Sequence, residues 1–134
     1  MTWSRGRTVS SASTEPLVNP KVLFIIRGDP RRSARPAEGV RIAAGVGTWQ
    51  KTDITVYFRD EAVLALSEFV DEFIDEDNFT RYLPIVAEWP RPIYVQKGAR
   101  CLAELGTPAF PFAELSDEEL ARLAAESSYV VNFQ

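Results

Sequence analysis

Residues 21–46 read KVLFIIRGDPRRSARPAEGVRIAAGV, and this stretch decides the fold class. It opens with an apolar run over residues 21–27, rich in β-branched side chains and typical of a strand buried on both faces. Gly-Asp-Pro then marks a turn. Ser33 is a candidate cap, Pro36 fits a first helical turn, and small or apolar residues recur at helical spacing to about residue 49. The stretch therefore predicts a strand, a turn and a helix.

The alternation of strands and helices continues along the chain. Further strands are predicted at 53–58, 92–97, 110–115 and 129–133, where β-branched and aromatic residues cluster. Between them the sequence predicts short helices at 61–66 and 99–105, a helix at 79–89 interrupted by Pro84, and a helix at 117–126 that begins with a Ser116–Glu119 capping box. We therefore predict one α/β domain over residues 21–134, a three-layer sandwich around a mostly parallel sheet. Its ligand edge should lie at the carboxyl ends of the strands.

Residues 1–20 differ from the rest of the chain in composition. They are rich in Ser, Thr and Arg, show no hydrophobic period and hold few apolar residues. We predict a disordered N-terminal tail, because such a segment cannot bury enough apolar surface to offset the entropy of ordering. The segment lacks the continuous apolar core of a secretory signal, while its Arg- and Ser-rich start leaves an organelle-targeting role open.

Histidine is absent from the 134 residues, and Cys101 is the single cysteine. The absence of histidine excludes Ser-His and Cys-His catalysis and any histidine-ligated metal site. One cysteine excludes an internal disulfide and a thiolate metal cage, and a lone thiol fits a reducing cytoplasm better than a secreted scaffold. The apolar runs are far shorter than the ~20 residues of a membrane span. We therefore expect a cytoplasmic protein with no membrane partner.

Charge is unevenly distributed along a chain whose net charge is −4. Residues 27–41 hold five arginines and two acids, whereas residues 60–89 hold nine acids and one arginine. The overall negative charge argues against nucleic acid as the main partner. The two segments indicate either a polar partner or self-assembly through complementary patches, unless both are simply solvated faces.

Cys101 is the candidate for covalent chemistry. The predicted helix after Gly98 would put this thiol in a first helical turn, beside Lys97 and Arg100. Aligned backbone amides and nearby cations favour a thiolate, which is the form that attacks a persulfide. The alternative is that Cys101 packs in the core as a small apolar residue, together with the leucines that follow it.

A basic loop is the second candidate site. Arg27, Arg31, Arg32 and Arg35 lie between the first strand and the first helix, and the predicted fold places the turn formed by Lys97, Gly98 and Arg100 at the same edge of the sheet. Guanidinium groups near a helix N-terminus can hold phosphate, sulfate or a carboxylate. We therefore predict a small anionic ligand here. The loop lacks the glycine and lysine pattern of a P-loop, and a mobile, solvated loop is the alternative.

The acidic segment contains Glu68, Asp71, Glu72, Asp75, Glu76 and Asp77, without the alternating spacing and central glycine of an EF-hand. We therefore predict no metal site, and no sequence motif indicates a cofactor. Phe69, Phe73 and Phe79 lie among these acids. Because apolar residues in a charged stretch can mark a subunit contact, this segment is a candidate assembly surface.

Four stretches of the chain resemble the DsrE/DsrF-like family of sulfur-relay proteins (DsrEFH and TusBCD), and most closely its DsrF/TusC-type subunit. They are residues 21–46, quoted above, ITVYFRDEAVLAL at 54–66, IYVQKGARCLAELG at 93–106, and FPFAELSDEELARLAAESSYVVNF at 110–133. The family has a strand, loop and helix in the first, a strand running into a polar turn in the second, a strand and a short helix ending in glycine in the third, and a closing strand, capped helix and strand in the fourth. The resemblance covers about residues 20–134. It implies a flavodoxin-like α/β sandwich that forms homo-oligomers, or hetero-oligomers with related subunits.

Active members of this family carry sulfur as a persulfide on a cysteine at the end of the third strand, about eight residues before the helix-ending glycine. Counting back from Gly106 leads to Gly98, so the usual sulfur-carrying cysteine is missing here. The resemblance therefore implies a non-catalytic subunit related to sulfur metabolism, one that forms oligomers or binds a small ligand. Two alternatives stay open: a sulfurtransferase that uses Cys101, and a regulatory domain that binds an anion or nucleotide at the arginine loop.

Overall fold

The computed structural model describes residues 2–5, 20–48 and 52–134. Within these residues one sheet contains the strands β1 (Thr2–Arg5), β2 (Lys21–Ile26), β3 (Asp53–Phe58), β4 (Ile93–Gln96), β5 (Phe112–Leu115) and β6 (Tyr129–Phe133). The helices are α1 (Arg35–Gly47), a 3₁₀ helix (Asp60–Leu66), α2 (Glu76–Ala87), α3 (Leu102–Leu105) and α4 (Asp117–Glu126). Every strand and helix predicted between residues 21 and 133 is present. The main differences are that α2 begins at Glu76 rather than residue 79, and that α3 is a single turn.

The strands lie in the order β1-β6-β2-β3-β4-β5 across the sheet. Neighbours from β6 to β5 run parallel, and β1 is antiparallel to β6. Val22–Ile26 of β2 are buried without a break, because this strand has neighbours on both sides and helices over both faces. The predicted α/β class with a mostly parallel sheet is therefore confirmed.

The direction of each crossover decides which face of the sheet a helix covers. The chain steps from β2 to β5 in one direction, so right-handed connections place α1, α2 and α3 on the same face. From β5 the chain returns across the sheet to β6, and the same handedness places α4 on the opposite face. The result is three layers, and the strand order reverses between β2 and β6.

Alternate strand residues fill two separate hydrophobic clusters, one on each face. The larger cluster lies on the face of α1 and α2 and includes Phe24 and Phe133, whose stacked rings have centroids 6.0 Å apart. The smaller cluster contains Leu23, Ile25, Tyr57 and Val130, and α4 covers it with partly buried leucines. Side chains of a strand alternate between the two faces of the sheet. This alternation therefore determines on which face the side chain of the residue after each strand lies.

Helix α1 approaches the sheet closely at Gly39. A β-carbon at Gly39 would lie 3.0 Å from Cδ1 of Ile26 and 3.2 Å from Cγ of Phe133. Both of those side chains are fully buried, so neither has room to move. Gly45, in the same helix, faces open space.

The predicted disordered tail does not hold for Thr2–Arg5, which form β1. This strand pairs with β6 from Thr2–Asn132 to Arg5–Tyr129 and covers backbone groups that β6 would otherwise leave unpaired at the edge of the sheet. Backbone pairing of this kind needs no hydrophobic pattern, which is why composition gave no sign of it. Residues 1 and 6–19 of the predicted tail lie outside the described residues, as do residues 49–51 at the end of the first predicted helix.

Candidate functional site

A cleft of about 250 Å³ lies at the carboxyl ends of β3 and β4, the edge at which a parallel sheet is expected to bind ligands. Its lining residues come from the start of the 3₁₀ helix and from the end of β4 with the turn that follows it, and they are Asp60, Glu61, Gln96, Gly98, Ala99, Arg100 and Cys101. Of the predicted site residues, the structure therefore brings Cys101, Gly98 and Arg100 together. Asp60, Glu61, Gln96 and Ala99 were not predicted.

The start of the 3₁₀ helix is held to the end of β4 by a hydrogen bond across the cleft. Asp60 has a left-handed backbone with φ of 55°, a conformation that non-glycine residues seldom adopt. Its N–H donates to Oε1 of Gln96 at 3.0 Å. The polar turn after the second predicted strand thus forms one wall of the cleft, with two carboxylates at its rim.

The opposite wall is a tight turn at Gly98, where φ is 74°. The N–H of Ala99 donates to the carbonyl of Gln96 at 3.3 Å and closes the turn. Gly98 is exposed, and a β-carbon there would meet no neighbouring atom. The position is therefore open to solvent, but its backbone conformation favours glycine.

Cys101 lies at the back of the cleft and is only 9% exposed. It belongs to the larger hydrophobic cluster, which supports the packing interpretation. Burial raises the pKa of the Cys101 thiol above its usual value, and the charges of Glu104 and Glu61 raise the pKa further, while Arg31 opposes them. This direction is opposite to the one expected from a helix terminus and nearby bases, since α3 has a single turn and the closest charges are mostly acidic.

One residue of the arginine loop, Arg31, acts on the cleft through its charge. Arg31 forms a bidentate ion pair with Asp29, with Nε–Oδ1 and Nη2–Oδ2 distances of 2.9 Å. Its charge acts on Cys101, although Arg31 is not among the residues that line the cleft. Arg31 is already paired with Asp29, however, and it lies on the exposed surface.

The other predicted arginines and Lys97 do not converge on this cleft. Arg35 pairs with Glu38 at 3.3 Å at the start of α1, and its N–H donates to the hydroxyl of Ser33. Arg32 is exposed. Lys97 is also exposed, and its charge acts on Glu119 of α4.

Arg27 lies on the opposite face of the sheet, near α4. Its charge acts on Tyr57 and Asp117, which also contact Arg59: Nη1 of Arg59 donates to the Tyr57 hydroxyl at 3.0 Å and to Oδ1 of Asp117 at 2.8 Å. Sequence reasoning missed Arg59. The signal was available, because Arg59 follows directly after a buried strand, as Arg27 does.

The acidic segment forms a second surface feature. Phe69 is 77% exposed and Ile74 is 38% exposed, whereas Phe79 is buried and Phe73 packs edge-on against it with centroids 5.9 Å apart. Of the three aromatic residues predicted to mark a subunit contact, Phe69 is therefore at the surface, whereas Phe73 and Phe79 pack against each other. Among the described residues, no group of three acidic or thiol side chains is placed to hold a metal ion.

An apolar cleft of about 250 Å³ lies next to this segment, between the 3₁₀ helix, α2 and the loop before β5. Its apolar lining includes Val70, Leu83, Pro84 and Phe110.

The N–H of Ile74 donates to the carbonyl of Pro30 at 2.9 Å. The acidic segment therefore lies directly beside the arginine loop on the surface.

The fold matches that of a solved structure. The crystal structure of the YchN protein from E. coli aligns with this chain at a TM-score of 0.69 and 19% sequence identity, covering 85% of this chain and 99% of YchN. YchN has a DsrE/DsrF-like fold, so the family-level fold expected from the resemblance is confirmed, although the match does not extend to the DsrF/TusC-type subunit. No family model matches the sequence, and no curated protein matches it. Among the helices that the structure describes, none combines the length and the apolar character that crossing a bilayer requires.

Proposed function

We propose that this chain is a non-catalytic, oligomer-forming subunit of the DsrE/DsrF-like type, related to sulfur metabolism and lacking the sulfur-carrying cysteine. The observation that carries the proposal is Gly98. It occupies the place where the resemblance puts the family's cysteine, at the mouth of a formed cleft, and its φ is 74°. Since L-residues are disfavoured in this conformation, the turn suits glycine rather than a reactive side chain.

Cys101 is poorly suited to take over the missing role. Its thiol is almost completely buried, and burial together with Glu104 and Glu61 raises its pKa. A persulfide on Cys101 would place a second, negatively charged sulfur near Glu104 and Glu61, whose carboxylates disfavour that charge. These contacts favour a structural role for Cys101 in a subunit that does not carry sulfur.

The surface formed by the acidic segment and the arginine loop supports assembly with a second copy of the chain. Exposed Phe69 and Ile74 lie in the acidic segment, and a backbone hydrogen bond places that segment against the arginine loop. A two-fold interface requires a surface that complements itself. Two adjacent patches of opposite charge, one of which also exposes apolar side chains, meet this requirement, because each patch can face the opposite one on the partner.

The proposal is tested by exposing the protein to a low-molecular-weight persulfide donor and measuring intact mass. We expect the folded wild-type chain to gain no sulfur, and Gly98→Cys to gain sulfur because its thiol is exposed at the cleft mouth. Stoichiometric loading of wild type that disappears in Cys101→Ser would refute the proposal. Circular dichroism of both variants establishes that they are folded.

The second candidate function is a persulfide carrier that uses Cys101. The observation in its favour is that Cys101 lines the cleft and lies within electrostatic range of Arg31, whose charge lowers the thiol pKa. This candidate requires native Cys101 to react with thiol reagents below neutral pH. The loading experiment above distinguishes the two candidates.

A further inference from the structure

The carboxyl ends of β2 and β3 place two arginines side by side. Ile26 and Phe58 are register partners in the parallel pair, and the N–H of Arg59 donates to the carbonyl of Ile26 at 2.9 Å. Arg27 and Arg59 are the residues that follow. Because neighbouring strands are about 4.8 Å apart, their backbones are adjacent.

Both side chains lie on the face that α4 covers. Arg27 comes two residues after Ile25, and Arg59 comes two residues after Tyr57, both members of the smaller hydrophobic cluster. The bond from Arg59 to Asp117 at the start of α4 agrees with this placement. The Cys101 cleft lies toward the other face, so the two features are distinct.

Arg59 has partners, whereas Arg27 has none among the described residues. The Arg59 side chain is 18% exposed and bonds to Tyr57 and Asp117. Arg27 is partly buried, and its side chain makes no hydrogen bond or ion pair with a described residue. Its Nε in particular is buried without an acceptor. The Nε–H of Arg27 has therefore lost its hydration without gaining a partner, which is unfavourable unless an acceptor arrives from outside.

The charge of the arrangement is unbalanced. Two guanidinium groups lie near one carboxylate, that of Asp117, which is 75% exposed and lies at the edge of the group. Like charges side by side on neighbouring strands repel each other. Arg27 follows β2, one of the two strands between which the strand order reverses, and open α/β sheets bind ligands at such a point.

We propose that Arg27 and Arg59 form a binding site for a doubly charged oxyanion, such as a phosphate group, at the carboxyl edge of the sheet on the α4 side. The planar guanidinium fork matches the geometry of phosphate oxygens. Two such forks with a single competing carboxylate favour a dianion over a monoanion. Asp117 is the internal occupant that the ligand displaces from Arg59. This proposal is independent of the function proposed above.

The test measures thermal unfolding of the full chain during titration with sodium phosphate at constant ionic strength and mildly alkaline pH. A ligand that binds only the folded state stabilises it by RT ln(1 + [L]/Kd), so the Tm rises steadily with the logarithm of the ligand concentration once that exceeds Kd. We expect this rise for wild type and its loss in Arg27→Gln. Arg32→Gln is the matched control, because it makes the same change at an exposed arginine in the same loop, and it should respond as wild type does.

Asp117→Asn makes the test sharper because it removes the competing carboxylate. We expect it to lower, by several-fold, the phosphate concentration at which the Tm begins to rise, while a purely structural Arg59–Asp117 pair predicts no such change. The proposal is overturned if the Tm of wild type does not rise with phosphate, if Arg27→Gln responds like wild type, or if Asp117→Asn binds phosphate no more tightly than wild type.

A parallel titration with AMP identifies the source of the phosphate group. Tighter binding of AMP than of inorganic phosphate supports a nucleotide ligand at this site. Equal or weaker binding supports a free oxyanion. In both cases Arg27→Gln should remove the response.

Discussion

Arg91 forms a bidentate ion pair with Asp53, with Nε–Oδ1 and Nη2–Oδ2 distances of 2.7 and 2.8 Å. The pair joins the first residue of β3 to the segment that leads into β4. Both side chains are about one-third exposed, so solvent screens part of the attraction. The hydrogen bonds from Arg91 lower the pKa of Asp53.

The Asp53–Arg91 pair should make stability depend on pH at the acid end. Because the folded pKa of Asp53 is lowered, its stabilisation is complete above the usual carboxyl pKa of about 3.9 and is lost as pH falls through the folded value. Asp53→Asn should lower the free energy of unfolding by about 0.5–1 kcal/mol near neutral pH. On acidification the variant should then lose less stability than wild type does. Urea unfolding across the acid range measures both. Asp71→Asn, the same change at an exposed acid, should leave the acid dependence unaltered.

Gly39→Ala should destabilise the protein although alanine is the better helix former. The new β-carbon would meet buried Ile26 and Phe133, and overpacking of this kind costs about 1–3 kcal/mol, more than the roughly 1 kcal/mol gained from helix propensity. Gly45→Ala adds the same methyl group in open space and should stabilise by up to about 1 kcal/mol. Chemical denaturation of both variants gives the comparison. Equal effects of the two substitutions would contradict the close approach of α1 to the sheet.

Cys101 should react slowly with an alkylating reagent in the folded protein and rapidly after denaturation. Burial limits access, and burial with the charges of Glu104 and Glu61 raises the thiol pKa. Glu104→Gln should lower the Cys101 pKa and increase the alkylation rate at a given pH by a few-fold. Intact mass against time measures the rate between mildly acidic and mildly alkaline pH. Glu118→Gln, on α4, is the control and should not change it.

Phe69→Ser should weaken self-association. The side chain is 77% exposed in the single chain, and burial of a phenylalanine in an interface contributes about 1.5–3 kcal/mol. Sedimentation velocity over a range of protein concentrations should show a larger monomer fraction for this variant than for wild type. Ala121→Ser, at an exposed position on α4, should sediment as wild type does. A wild-type chain that stays monomeric at high concentration would exclude this assembly surface.

The strands were predictable because burial leaves a strong pattern in them. Residues 53–58 and 129–133 form β3 and β6 with the predicted bounds, and the Ser116–Glu119 capping box forms as the spacing indicated. β1 was not predictable, because it is held by backbone pairing with β6 rather than by a hydrophobic pattern.

The sequence predicted where in the fold the candidate site lies, but not which residues form it. Arg27 and Arg31 are four residues apart, yet one lies near α4 and the other near Cys101. A list of basic residues in a loop does not reveal this division, whereas the alternation of strand side chains does. The direction of the Cys101 pKa shift depended on burial and on Glu61 and Glu104, which only the folded chain brings to the thiol.

The position of β6 has a consequence for how the chain folds. This strand is contributed by residues 129–133, yet it lies inside the sheet between β1 and β2. The hydrogen bond from the Lys21 N–H to the Ser128 hydroxyl, which leads into this pairing, spans 107 residues of sequence. Such non-local pairing slows folding. During synthesis on the ribosome the sheet therefore cannot be completed until residues 129–133 have emerged. Until then, the edge of β2 that pairs with β6 has no partner strand.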